Sequence, residues 1–263
     1  MTRPGDRQAG RMKTLRHSAV LAQRSLIGTW RTPEALIDVT LQPIIFLLLF
    51  TYVFGGAIAG GSQHDYLQFL LPGILGQTIA MAGVSIGVNL NTDVEKGVFD
   101  RFRSLPIGRG APLTGAVLAD MARYVILCTV MIGFGYVLGF RATTDVVGVG
   151  LACLLAVAFA LCMCWASVFV GMKARSPGAV QGIMFLIVLP LSFGSSAFVS
   201  PDTMPGWLRA FTDANPLTHL VGAERALLLG QPMGNHLWLT FAWMAALVAV
   251  FVPLALRAYN RRV

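Results

Sequence analysis

"LACLLAVAFALCMCWASVFVGM" occupies residues 151–172 and contains no charged side chain. At about 1.5 Å per residue, a helix of this length covers the roughly 30 Å of hydrocarbon in a bilayer. The rest of the chain has the same character. Its 263 residues are 56% hydrophobic and 12% charged, with a mean hydropathy of +0.69. A soluble domain carries roughly 45–50% apolar residues even with glycine counted. Such runs are too long for a soluble core, so the chain reads as an all-α, polytopic membrane protein. Six spans are predicted, at approximately 36–57, 67–90, 124–140, 147–172, 178–199 and 237–256.

The net charge of +8 points first to the cytoplasmic side of a membrane, not to nucleic acid, because Lys and Arg concentrate there. Divided by alternate sides of six spans, 17 of the 20 Lys and Arg fall on one side. Only Arg141, Arg209 and Arg225 fall on the other. Both termini are therefore expected in the cytoplasm. No short apolar stretch before a cleavage site marks a signal peptide in "MTRPGDRQAGRMKTLRHSAV". Cys128, Cys153, Cys162 and Cys164 all sit in apolar runs without His, Asp or Glu beside them. They read as small packing residues, and no metal site is expected.

Residues 91–110, "NTDVEKGVFDRFRSLPIGRG", break the apolar pattern with seven charges in twenty positions. At the bilayer centre these would cost on the order of 20 kcal/mol, so the block belongs in water. Thr92 and Glu95 have the spacing of a capping box, and Asp93 suits a helix N-terminus. Arg101 and Arg103 suit the opposite end, and Pro106 stops the helix after Leu105. Val94, Val98, Phe102 and Leu105 form an apolar ridge. The reading is a short helix on the cytoplasmic face, shaped to dock on a partner through Thr92, Glu95, Lys96, Val98, Asp100, Arg101, Phe102, Arg103 and Leu105. Packing on the protein's own spans is the plainer alternative.

Two further segments are distinctive. On a helix, Met12, Leu15, Ala19, Ala22, Leu26 and Trp30 share a face, with Lys13, His17, Arg24 and Arg31 on another. This predicts a helix lying at the membrane surface. A plain anchor and a lever joined to the first span both fit it. Before the last span, "PGWLRAFTDANPLTHLVGAERALLLG" gives two short helical patterns interrupted at Asn215 and Pro216. An extracellular re-entrant or interfacial helix pair is expected there. A gate built on Trp207, Asn215 and Pro216 competes with a packed outer loop. Within the spans, Asp120 and Arg123 are spaced to pair on one helix. Gln42 and Gln77 are candidates either for a substrate path or for helix bridging. Pro43, Pro72 and Pro190 predict kinks.

"EKGVFDRFRSLPIGRGAPLTGAVLAD", "QPIIFLLLFTYVFGGAI", "YLQFLLPGIL" and "SSAFVSPDTMPGWLRAFTDANPLTHLVGAERALL" together resemble the type-2 ABC exporter permeases. The nearest branch by these motifs is the daunorubicin/doxorubicin-resistance type of drug-export permease. The resemblance extends over residues 36–228. It implies a connecting helix within residues 1–31, carrying Leu15, Leu26 and Trp30, and a transmembrane domain at 32–263. It also implies that residues 92–105 form the coupling helix, which touches a separate ATP-binding subunit. A second permease copy, identical or paralogous, would complete the pathway in a bacterial inner membrane, among its lipids. The expected work is export of a hydrophobic or amphipathic drug, natural product or lipid. No G-x-x-x-x-G-K-[ST] is present, and Lys13, Lys96 and Lys173 all lack the preceding glycine. ATP and Mg are therefore expected on the partner, and neither a cofactor nor catalysis on this chain. Export of lipid-linked polysaccharide is the alternative within the family. A secondary transporter would show inverted repeats and midplane ionisable groups, and an intramembrane enzyme would group its four histidines with partners. Neither pattern is evident.

Overall fold

The computed structural model describes residues 33–55, 62–97 and 111–262. Nine α-helices carry these residues: α1 (Pro33–Leu49), α2 (Gln63–Ala82), α3 (Val84–Glu95), α4 (Ala111–Leu138), α5 (Val146–Lys173), α6 (Pro177–Phe193), α7 (Gly206–Ala214), α8 (Pro216–Leu229) and α9 (His236–Arg262). A π-helical turn, Phe50–Phe54, continues α1, and a 3₁₀ turn, Pro201–Thr203, precedes α7. No strand occurs among the described residues. The predicted connecting helix, with Leu15, Leu26 and Trp30, lies outside them.

The ends of the helices are written locally. Ser62, Asp145, Ser176 and Asn215 each accept a backbone N–H with their side chain at the start of α2, α5, α6 and α8. Each satisfies one of the donors that a helix N-terminus leaves unpaired. Pro177 and Pro216 follow directly, where their fixed φ suits a first turn. Gly139, at φ +106°, closes α4 while Phe140 N–H donates back to Gly135 O at 2.8 Å. That left-handed stop is natural to glycine.

Four stretches are long and apolar enough to cross a membrane: Gln63–Glu95, Asp120–Leu138, Val146–Lys173 and His236–Tyr259. Leu41–Val53 and Pro177–Phe193 are apolar but shorter. The fifth predicted stretch, 178–199, leaves the helix at Phe193. From there Gly194, Ser195 and Ser196 form a buried turn, with Ser195 Oγ donating to Ser192 O at 2.6 Å. The second predicted stretch, 67–90, is longer than expected and runs on as α2 and α3 over 33 residues. It passes through Pro72 and is interrupted at Gly83. α1 and α6 likewise continue through Pro43 and Pro190.

α5 is the central helix, in contact with α2, α3, α4, α6, α8 and α9, whereas α1 packs on α2 and α4. α2 is buried on nearly every side, with Leu70, Leu71, Leu75 and Ile79 fully enclosed. A helix apolar all round belongs in such a position. α3 crosses α5 through glycine: a Cβ on Gly171 would stand 2.5 Å from Gly87 O. Ser167 bridges the same crossing, donating to Val84 O at 2.7 Å and accepting from Gly87 N–H at 3.2 Å. Ser167 and Arg123 donate to the carbonyls on either side of Gly83, Val84 O and Ala82 O. The Arg123 guanidinium donates to Ser85 Oγ at 2.7 Å and pairs with Asp120 at 3.0 Å. The Asp120–Arg123 pair expected from sequence is thus present, fastening α4 to the α2–α3 break.

Candidate functional site

Polar side chains gather at two ends of the bundle. At one end, α3, α5 and α9 all terminate. The last carbonyls of α5 have no helical partner, as at any helix C-terminus. Asn91 Nδ2 donates to Gly171 O at 2.7 Å and to Ala174 O at 3.0 Å. The Arg262 guanidinium donates to the same two oxygens, at 3.0 and 2.8 Å. A cation at a helix C-terminus also meets the negative end of its dipole. Two donors from different helices therefore hold one helix end.

α3 leads from this clasp into the charged block, and its termination departs from the sequence reading. Thr92 is not a cap. It lies within α3 and donates its hydroxyl to Val88 O at 2.9 Å. The helix ends at Glu95, and Gly97 turns the chain at φ +67°. Ile86 and Leu90 are buried in one cluster with Cys164 and Val168 of α5, with Val94 packed against it. This packing draws the helix onward through Thr92, so the capping-box spacing of Thr92 and Glu95 marks a helix end instead of a start. Glu95 and Lys96 are exposed there. Val98, Asp100, Arg101, Phe102, Arg103 and Leu105 lie outside the described residues.

The opposite end is built around α8, and α8 is buried almost throughout. Asn215 caps it, accepting from Leu217 N–H at 2.9 Å, and donates Nδ2 to Leu191 O at 2.7 Å and Gly194 O at 3.0 Å. Thr212 Oγ1 adds a bond to Gly194 O at 3.0 Å. Gly230, at φ +63°, ends α8, and Thr144 Oγ1 donates to Leu227 O at 2.7 Å. Arg225, 6% exposed, donates to Phe69 O at 3.0 Å, Ser196 O at 2.8 Å and Ala197 O at 3.3 Å. Its guanidinium also stacks 3.6 Å from the Phe69 ring centre. A planar fork of five donors suits this convergence of carbonyls. His219 and His236 approach to 3.4 Å between their Nδ1 atoms, joining α8 to α9.

The sequence candidates separate at this end. Asn215 and Pro216 are buried in the α8 entrance, whereas Trp207 stands 76% exposed on α7. Gln77 is buried in α2 and Gln42 is exposed on α1. Among the described residues no group of three or more His, Cys, Asp or Glu is placed to hold a metal. Sequence reasoning counted Arg225 as a loop charge and passed over Glu224. The available signal was an acid–base doublet inside the apolar run "LVGAERALLLG", since charges rarely go fully buried without a task.

A helical bundle with four stretches long and apolar enough to cross a membrane, and a buried short helix before the last of them, has the build of a polytopic membrane protein. The sequence model of the ABC-2 type transporter family matches residues 17–229, and the chain belongs to that family. It is 43% identical over 239 residues to a daunorubicin resistance ABC transporter permease protein of Streptomyces coeruleorubidus, covering 91% of this chain and 84% of the relative. It is 24% identical over 265 residues to a probable doxorubicin resistance ABC transporter permease protein of Mycobacterium tuberculosis, covering 98% and 93%. A putative transport permease of Cyanophora paradoxa is 27% identical over 215 residues, covering 79% and 72%.

Proposed function

We propose that this chain is the transmembrane subunit of an ATP-driven exporter of hydrophobic or amphipathic drugs. It crosses a bacterial inner membrane six times with both termini in the cytoplasm. The likeness over 91% of the chain to a daunorubicin resistance permease carries this reading. A separate ATP-binding subunit supplies the energy, and a second permease copy completes the pathway. Force enters at residues 92–105. The clasp formed by Asn91, Gly171, Ala174 and Arg262 supports this entry point, because it ties the segment's root to α5 and α9. Residues 12–31 act as the surface-lying connecting helix. α7 and α8 form the re-entrant pair on the outer side, with Trp207 at the membrane interface and Asn215 and Pro216 shaping the turn between them.

The test uses the chain co-expressed with its ATP-binding subunit. Reversing charge by Glu95→Lys together with Arg101→Glu, or placing Phe102→Asp on the ridge, leaves insertion intact. Either variant lowers copurification of the ATP-binding subunit at least tenfold and abolishes ATP-driven doxorubicin uptake into inverted membrane vesicles. Copurification and uptake that both survive these changes refute the coupling role.

A further inference from the structure

Glu224 and Arg225 are neighbours in sequence, and about 100° of helix rotation separates adjacent side chains. Their fates differ completely. Arg225 spends its donors on Phe69 O, Ser196 O and Ala197 O. Glu224 is 0% exposed, and neither carboxyl oxygen has a hydrogen-bond partner among the described residues. The nearby thiols of Cys128 and Cys153 are neutral, and the cation that acts on Glu224 is the adjacent Arg225 guanidinium. That guanidinium is turned to the three carbonyls and makes no ion pair with Glu224 among the described residues. Buried polar side chains in folded proteins are normally hydrogen-bonded. A carboxyl whose task was to join helices would hold something, and this one holds nothing.

Its position explains what it is free to hold. Leu220 and Ala223 belong to one apolar cluster, while Val221 and Leu228 belong to another. Glu224 therefore stands on α8 where two oily regions meet. Across the seam, α2 presents Gly76: a Cβ there would stand 3.3 Å from Glu224 Oε2 and 2.9 Å from Val221 Cγ2. With no side chain at Gly76, a slight parting of α2 from α8 uncovers the carboxyl directly. Shut away and unpaired, the carboxyl stays uncharged; uncovered by that parting it ionises, and an ionised carboxyl only accepts hydrogen bonds. The complementary guest is a cation, and the leucine and valine around it suit an apolar body attached to that charge.

We propose that Glu224 is the specificity-determining anion of this exporter, receiving the positive charge of a cationic amphipathic cargo when α2 and α8 separate. This rests on the exporter reading given above. In the conformation described, the site is shut.

The experiment uses the chain with its ATP-binding subunit in lipid nanodiscs, and two fluorescent probes. Doxorubicin carries a protonated amine, and its N-acetyl derivative keeps the ring system without the charge. The native protein binds the cation at least tenfold tighter than the neutral probe, after subtraction of empty nanodiscs. Glu224→Gln, which keeps the shape of the side chain, brings that ratio below twofold while neutral-probe binding moves less than twofold. In the unmutated protein, the permanent cation tetraphenylphosphonium displaces doxorubicin. Equal native affinity for the two probes, a ratio unchanged in Glu224→Gln, or failure of tetraphenylphosphonium to compete overturns the proposal. ATP-driven export separates the two levels of argument. Equal export of both probes removes the cation site and leaves the exporter standing, whereas export of neither removes both.

Discussion

An arginine grips main-chain carbonyls at each end of this bundle, but the two grips are set in different surroundings. Arg225 is enclosed, and its carbonyls belong to α2 and to the turn after α6. Arg262 is exposed on the last turn of α9 and shares its two oxygens with Asn91. Loss of the enclosed grip strands buried acceptors where water cannot replace the donor. At the exposed grip, Asn91 and solvent remain to take over. The Arg225 grip on Phe69 and on the turn after α6 is thus built for permanence, and the Asn91 end for adjustment.

The strongest way to break this contrast is Arg225→Ala. Charged-donor hydrogen bonds contribute about 1.5–3 kcal/mol each, so loss of the buried cluster costs at least about 3 kcal/mol. The expected result is poor recovery of folded protein and a large fall in melting temperature in detergent. Arg225→Lys recovers only part of the loss, since a compact ammonium cannot reproduce the planar fork. Near-native melting of Arg225→Ala would erase the distinction between the two ends.

Arg262→Ala tests the other side. Its stability cost is expected at about 1 kcal/mol, because Asn91 still serves both carbonyls. Copurification of the ATP-binding subunit is retained, while transport per ATP hydrolysed falls. A melting loss as large as that of Arg225→Ala would show two permanent ends. The smallest effect belongs to Arg209→Ala. Its pairing with Asp202 at 3.2 Å joins side chains 53% and 78% exposed, and exposed pairs contribute roughly 0–1 kcal/mol. Melting is expected to be unchanged within error, so a marked loss would show that α7 is held more firmly than its contacts imply.

The contrast also explains what the sequence disclosed. Apolar runs the length of a bilayer announced the long helices, and spacing alone announced Asp120 with Arg123. The buried short helix before α9 was legible because Asn215–Pro216 and Gly230 punctuate it. Thr92 was misjudged because a capping-box spacing does not reveal the turn already packed before it. Glu224 and Arg225 were overlooked because their positions relative to neighbouring helices follow from long-range packing: Arg225 meets Phe69 across 156 residues. Gly76 and Gly171 were invisible for the same reason, since a glycine at a crossing looks like any other until its neighbour is known.

From Gln63 to Glu95 the chain climbs roughly 50 Å at helical rise, against about 30 Å of hydrocarbon. A rod of that length exceeds the hydrocarbon thickness. Arg225 seizes it at Phe69 and Asn91 moors it at the far tip, with the only interruption between them at Gly83. Gly83 is therefore the joint at which this rod can bend, and Gly76, which closes over Glu224, lies on the Phe69 side of that joint.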